Sequence, residues 1–490
     1  RPLALIPPAW LAALVYSALA GFGVTVVRAL LMISVVLLAT ARRRAVSGLQ
    51  TLSLAFVVLL VWQPLAVLSA SFWLSFAGVA FLVLCLRSGH GWRAWLLELG
   101  AAQWLMTIGL LPLTVWFFGQ SSLLAPLANL LAVPMIGLLV TPLTLAGSLA
   151  LLVWAPLASG LLHLAAWTMH WTWWCMQALA ALPMAQVYWP QPSLVAFILA
   201  LLGAIWLLLP RGVPLRVFGV LLLLPLLHPP SRAPRVGGFV ATVVDVGQGL
   251  SVIVRTRHHA LVYDAGPRYP SGYDLGRVAV VPTLHAEGIG RLDMLLISHG
   301  DNDHAGGGPA IAAAYPHAYE MGSEPKRSHM PLVLCRAGQH WRWDGVDFRM
   351  VFPGPGWNEK GNNGSCVLLV SGRGGRLLLP GDIEALVEPD VAKAVGPGPP
   401  LVLVVPHHGS DTSSSAAFIA ALQPCLALNS AGYRNRFGHP RALVLKRYHD
   451  AGVPFYNTAS AGALMVAFAP DAAPKLVLQA RLAQRRYWRE

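Results

Sequence analysis

The sequence predicts a polytopic α-helical membrane domain followed by a soluble α/β domain, and two observations carry that division. Of its 490 residues 56% are hydrophobic and 11% charged, with a mean hydropathy of +0.59, far from the norm of soluble chains. The apolar residues crowd into positions 1 to about 230, whereas Asp, His, Gly and Arg crowd into the remainder. The segment Leu227-His228-Pro229-Pro230-Ser231-Arg232-Ala233-Pro234-Arg235 marks the change, because its prolines and arginines cannot continue an apolar helix. The expected domains are 1–230 and 237–490, with 231–236 as linker. The chain opens at Arg1 without an initiator Met or a charged leader and reads as a piece of a longer protein.

In the first domain, apolar spans are expected near 9–26, 28–40, 51–68, 72–87, 95–118, 123–154, 156–182, 193–209 and 215–228. Arg42-Arg43-Arg44, Arg87 with Arg93, and Arg211 with Arg216 occupy alternate connections, while 119–122 and 183–192 carry no charge. The positive-inside rule puts the basic set in the cytoplasm, and a crossing at 215–228 would put the second domain outside it. Asn129, between Pro126 and Pro134, is the polar residue expected to bond freed backbone in a broken helix or to line a pathway, which makes it the channel candidate. His163, Trp167, His170, Trp171 and Trp174 recur at helical spacing and define one face, read as packing or interfacial before base-stacking.

The second domain begins with Val243 to Gly249, Ser251 to Val254 and Leu261 to Gly266, short runs ending in glycine turns, as antiparallel strands do. Asp245 and Asp264 fall where strands run out, placed either to support a metal loop or to cap a turn. The apolar run Leu292 to Ile297 then leads into Ser298-His299-Gly300-Asp301-Asn302-Asp303-His304. Four groups that bind divalent metals within six residues suit a two-metal site, His299 and Asp301 for one ion and Asp303 and His304 for its neighbour. Asp382, ending the run Leu377 to Pro380, is the expected bridge, and one of His407 and His408, ending the run Leu401 to Val405, should complete the second ion. Cys85, Cys175, Cys335, Cys366 and Cys425 are odd in number and scattered, so no disulfide framework is expected.

These motifs resemble the metallo-β-lactamase superfamily, which implies an αβ/βα sandwich and a divalent-metal hydrolase. Asp301 stands where many members have His, and this carboxylate-richer set admits manganese beside zinc for the two ions. With Arg28 to Met32, Ser71 to Phe76, the Asn129 segment, Asn362 to Cys366, and Asn435 to Pro440, the chain is similar throughout to the ComEC family of competence proteins. That resemblance implies an inner-membrane channel of a bacterium, multi-pass, for uptake of transforming DNA as a single strand. It also implies a nuclease domain outside the cytoplasm that degrades the other strand.

Carried over, Asp303, Asp382 and His439 would be catalytic, His439 protonating the leaving oxygen or holding a phosphate unless it is only a turn residue. Asn363, Ser365, Ser410, Arg434 and Arg436 would hold phosphate oxygens, and the net charge of +14 is consistent with DNA or with anionic lipid. The expected partners are DNA, membrane lipid, a separate DNA receptor, and a separate motor, because no phosphate-binding loop is present; a homo-oligomer is admitted. Two alternatives stay open. They are a membrane-anchored hydrolase of a small ester or phosphodiester, and a channel whose second domain only binds.

Overall fold

The computed structural model describes residues 6–42, 47–85, 91–182, 184–209, 212–229, 233–357 and 360–483. Arg43, Arg44, Arg87, Arg211, Arg232, Arg485 and Arg486 fall outside them. The chain divides into two compact units, Arg1–Pro230 and Ser231–Glu490.

The first unit is helical: α1 (Ile6–Leu19), α2 (Val24–Ala41), α3 (Gly48–Trp62), α4 (Ala70–Cys85), α5 (Trp92–Phe118), α6 (Ala125–Pro134), α7 (Thr141–Ala150), α8 (Ala155–Ala180), α9 (Leu194–Leu208) and α10 (Gly219–Leu227). Their starts follow local chemistry. Ser47 caps α3 in a reciprocal box with Gln50, and Ser193 caps α9 through the Ala196 amide. The expected span 9–26 ends early, at Leu19, because Gly21 turns the chain with φ +71°. Between α6 and α7 the helix continues through a π turn at Met135–Val140, directly after Pro134. The backbone freed by that proline is absorbed by the wider turn, so Asn129, exposed on α6, is not used to repair it. Strands β1 (Gln120–Ser121) and β2 (Val187–Tyr188) tie the ends of α5 and α8 in a short antiparallel ladder.

Among the described residues, two helical stretches, Leu97–Phe118 and Ala125–Ala150, are long and apolar enough to cross a bilayer. Large apolar side chains face outward all along this unit, Val61, Leu152 and Val153 more than 80% exposed, and Trp167, Trp171 and Trp174 meet edge to face on the outside of α8. Inside, α9 and α10 approach so closely that a Cβ on either Gly203 or Gly219 would lie 2.6 Å from the other's carbonyl oxygen. Arg28 is 1% exposed on α2, its guanidinium donating to the carbonyl and, at 2.7 Å, to the hydroxyl of Ser71 at the start of α4. The nine residues of α10 rise only ~14 Å, so the expected crossing at 215–228 is too short to span alone.

The second unit is built on two mixed sheets. In chain order the strands are β3 (Phe239–Val243), β4 (Val252–Arg255), β5 (Ala260–Tyr263), β6 (Met294–Ile297), β7 (Tyr319–Gly322), β8 (Val333–Leu334), β9 (His340–Trp343), β10 (Val346–Phe352), β11 (Val367–Ser371), β12 (Arg376–Leu379), β13 (Leu401–Val404), β14 (Leu426–Asn429), β15 (Phe455–Asn457), β16 (Leu464–Phe468) and β17 (Lys475–Gln479). One sheet runs β17-β16-β3-β4-β5-β6-β7-β8 and the other β15-β14-β13-β12-β11-β10-β9. The sheets share a buried layer including Leu261, Leu296, Leu377 and Val402, with Phe239 stacked on Phe468 at 4.0 Å. Helices Glu388–Val395, Ala416–Leu422 and Ala442–Asp450 cover one outer face, and Val281–Ala286 and Gly308–Ala314 the other, each over its own apolar cluster. The result is the expected αβ/βα sandwich. Each fully buried Leu, Ile or Val in these layers contributes about 1.5–3 kcal/mol.

One link was not expected from the sequence. Cys335, after β8, forms a disulfide with Cys366, before β11, and so joins the two sheets. The two positions are 31 residues apart and become neighbours only when the sheets stack.

Candidate metal centre

Strands β5 and β6 run parallel in one sheet, and β12, β13 and β14 run parallel in the other, so their carboxyl ends gather at one edge of the sandwich. Asp264 follows β5, His299 to His304 follow β6, Asp382 follows β12, His407 and His408 follow β13, and Ser430 follows β14. Sequence-distant ligands are thus delivered to one place by topology. Gly381 makes the turn before Asp382 with φ +61°, where a Cβ would lie 2.8 Å from that of Ser365 and 2.9 Å from that of Ser298.

His304 is fully buried, and its Nδ1 lies 2.7 Å from Asp264 Oδ2. The same carboxylate accepts the Ser298 amide and, at 2.8 Å, the Ser298 hydroxyl. Since a carboxylate accepts, His304 carries its proton on Nδ1 and turns the Nε2 lone pair toward the centre. His408 Nδ1 likewise donates to the Ser430 carbonyl at 2.8 Å, leaving its Nε2 lone pair free. The two Nε2 atoms face each other at 3.2 Å. With both Nδ1 protons committed, two lone pairs at that distance call for a cation between them.

Asp382 spans the same space, Oδ1 lying 3.1 Å from His304 Nε2 and Oδ2 lying 3.6 Å from His408 Nε2. Asp303 Oδ2 is 3.3 Å from His408 Nε2, and the buried His299 Nε2 has no hydrogen-bond partner among the described residues. Two triads result, His299 with His304 and Asp382, and Asp303 with His304 and His408, each with its donor atoms within 4.8 Å of one another. An all-N,O donor set of this kind fits divalent zinc or manganese.

Electrostatics agree with a site built for cations. Burial opposes charge on Asp382, but His304 and His408 hold it well below the usual carboxylate range. Burial also opposes protonation of His304 and His408, yet Asp382 with Asp264 or Asp303 raises both. Burial and the neighbouring His304 lower His299. The carboxylates thus favour positive charge in this space, as cation ligands do.

The structure separates the two adjacent histidines left open by the sequence. Both have positive φ, 53° and 55°, in a tight turn. His408 points inward, while His407 is at the rim, Nδ1 3.2 Å from Thr412 Oγ1 and Nε2 3.9 Å from Asp382. Asp301 is not brought into either triad: Arg327 holds its Oδ1, and Oδ2 stays 3.7 Å from His299 Nε2. His304 belongs to both triads rather than to one.

Several expected roles change. Asp245 is turned away, paired with Arg481 at 2.8 Å and capping the Gly247 amide, so it supports the turn and not the metal loop. Asn363 accepts the Glu384 amide and its carbonyl accepts from Trp357, which fixes the backbone beside Asp382. Ser365 is enclosed; it donates to the Asn362 carbonyl at 2.7 Å and accepts the Asp382 amide at 3.2 Å, so its hydroxyl is engaged inside the fold. Ser410 is buried against Thr412. Arg434 and Arg436 are exposed. His439 is pushed down to about 4 by burial and by His408 and His407. Sequence reasoning missed Ser298, Glu324, which accepts the Gly300 amide at 2.8 Å, and Arg327. Only Ser298 had a signal, its place between strand and ligands.

Helical unit, sandwich and metal-binding edge together define a helical competence-type domain joined to a metallo-β-lactamase-type domain, the fold of metal-dependent hydrolases. Residues 2–214 match the competence protein family model and residues 244–425 the metallo-beta-lactamase superfamily model. The chain belongs to the ComEC family of competence proteins. It is 36% identical over 467 residues to "Competence protein ComA" of Neisseria gonorrhoeae, covering 94% of this chain and 65% of that one. "Recombination protein 2" of Haemophilus influenzae is 31% identical over 502 residues, covering 94% and 63%, and "ComE operon protein 3" of Bacillus subtilis 27% over 476, covering 88% and 59%. The chain therefore spans less than two thirds of the length of these relatives.

Proposed function

We propose that this chain takes part in DNA uptake during natural competence, its helical half forming a multi-pass channel in the bacterial inner membrane and its sandwich a metal-dependent nuclease. The observation that carries the catalytic half is the pair of Nε2 lone pairs 3.2 Å apart, flanked by the two oxygens of Asp382. His299, His304 and Asp382 would hold one ion and Asp303, His304 and His408 the other. Bound there, two divalent ions supply activated water and neutralise charge on a phosphodiester. The protein's own part is to hold the donors: Asp264 and Ser430 fix the imidazole tautomers, and Gly381 lets Asp382 reach both sides. His407 and His439 stand at the rim, placed to hydrogen-bond a phosphate oxygen.

The outward apolar surface of the helices supports a lipid environment, and Asn129 is the candidate for the channel lining. The Cys335–Cys366 disulfide supports a hydrolase domain outside the cytoplasm, because such bonds persist in oxidising compartments. Single-stranded DNA in transit, membrane lipid, a separate receptor and motor, and a second copy of the chain complete the proposed partners.

The test uses the chain in detergent with end-labelled DNA and manganese or zinc, beside Asp303→Ala. Metal-dependent cleavage that disappears in the variant supports the reading. A metal-loaded protein that leaves DNA intact but cleaves a small phosphodiester moves the assignment to a small-molecule hydrolase. A chain that binds DNA and does not cleave it moves the assignment to a binding domain.

A further inference from the structure

Beside the metal ligands lies a cleft of about 770 Å³ that opens onto Asp303. One wall is the segment carrying Arg268 and Tyr269, and the other is made by Gly432, Tyr433, Asn435, Arg436 and Phe437, with Arg434 on the same loop outside the lining. Tyr269, Tyr433 and Phe437 are 43%, 65% and 41% exposed, large flat rings presented to solvent at the mouth of a polar site. Each ring on the loop is paired with a cation: Arg434 lies 5.2 Å from the centre of Tyr433, and Arg436 lies 4.7 Å from that of Phe437.

Both walls are held in place. Asn435 donates to the carbonyls of Gly432 and His439 and accepts the amides of Phe437 and His439, so one side chain closes the whole loop. Gln248 accepts the Gly432 amide at 3.2 Å. Opposite, Asn302 of the metal loop accepts the Arg268 amide at 3.4 Å, and the Tyr269 amide donates to the Tyr273 carbonyl. The aromatic row also has a direction. Phe437 stacks on His439 at 5.6 Å, and His439 lies 5.9 Å from His407, whose Nε2 faces Asp382.

Exposed rings with guanidinium groups on their faces suit a ligand that offers flat faces and negative charge in alternation. In a duplex the base faces are stacked on one another, and only an unpaired strand offers them to a protein. We propose that this cleft is a base-stacking track for a single DNA strand. Tyr269, Tyr433 and Phe437 take bases, Arg268, Arg434 and Arg436 take the intervening phosphates, and the strand is led to the Asp303 side of the metal centre. This rests on the nuclease reading above and adds to it the form of the substrate.

The test measures binding by fluorescence anisotropy on the chain in detergent, with chelator present so that no cleavage intervenes. Three labelled probes of equal length are compared: a single strand, the same strand made abasic, and a duplex. The single strand is expected to bind about tenfold or more tighter than its abasic counterpart. Tyr433→Ala combined with Phe437→Ala should erase that preference, and Tyr433→Trp with Phe437→Trp should keep it, which separates stacking from misfolding. Arg434→Ala with Arg436→Ala should weaken both strands alike and flatten the salt dependence. Equal binding of base-bearing and abasic strands, duplex binding as tight as single-strand binding, or an unchanged preference in the double alanine variant would overturn the track. Metal-dependent cleavage is followed in parallel. Cleavage retained without a stacking preference overturns the track alone, whereas absence of both DNA binding and cleavage overturns the nuclease reading with it.

Discussion

The two halves of this chain handle charge in opposite ways. In the helical half, apolar side chains face outward and Arg28 is buried with a serine as its partner, no acidic partner being present among the described residues. In the sandwich, apolar side chains are enclosed between layers, and buried Asp264, Asp382, His304 and His408 answer one another within hydrogen-bond or ion-pair distance. The difference teaches that the two halves bury opposite things: the helical half leaves apolar side chains outside, and the sandwich encloses them. In the membrane setting proposed for the helical half, polar groups are expected to be few and internally partnered, as Arg28 is by Ser71. Where the outside is water, the fold can afford a crowded ionisable cluster, provided that the cluster is satisfied by cations or protons.

That contrast can be broken or sharpened by substitution. The largest stability effect should come from Cys335→Ser with Cys366→Ser, which frees a loop of 31 residues and should cost the sandwich about 3–4 kcal/mol on the chain-entropy account. Unfolding followed by two probes, one per half, should show the sandwich transition move and the helical one stay. Leu138→Lys should do the reverse. Leu138 is exposed in the middle of the Ala125–Ala150 stretch, and a lysine there costs about 2.5–3.5 kcal/mol in a bilayer but under about 0.5 kcal/mol in water. Its level of membrane insertion checks this, and unchanged insertion would erase the contrast between the halves.

Asp264→Asn removes the carboxylate that fixes the His304 tautomer and should weaken metal binding about 10–100-fold, measured by chelator competition. The smallest effect is expected at Asp344, away from the metal edge. Burial opposes its charge, but hydrogen bonds from His258, Thr256 and His259 hold its carboxyl well below the usual range. A depressed folded-state value gives stability that is present above the unfolded carboxylate value and lost as pH falls through the folded one. Asp344→Asn keeps the left-handed backbone at φ 51° and should cost about 1–2 kcal/mol near neutrality. The gap in thermal stability between the two proteins should close as the solution is acidified below about pH 4.

Much of this architecture was legible in the sequence because hydropathy and turn residues act locally. The helical spans and the strand runs ending at Asp264, His299 and Asp382 follow from patterns within a few residues. What was illegible depends on contacts made by stacking two sheets. The choice of His408 over His407 needs the Ser430 carbonyl from the next strand, and the disulfide needs β8 beside β11. The diversion of Asp301 needs Arg327, and the burial of Ser365 and Ser410 needs the loops that close over them. A hydroxyl or carboxylate near a motif looks alike in sequence whether it faces substrate or supports a ligand.

The most direct test of the metal centre is a titration of the metal-stripped chain with manganese or zinc, counted by calorimetry, for wild type and Asp382→Asn. The expected result is two ions per chain in the wild type and the loss of both together in the variant, because both oxygens of Asp382 face the shared space. A wild type that binds no ion, or a variant that keeps both, would contradict it.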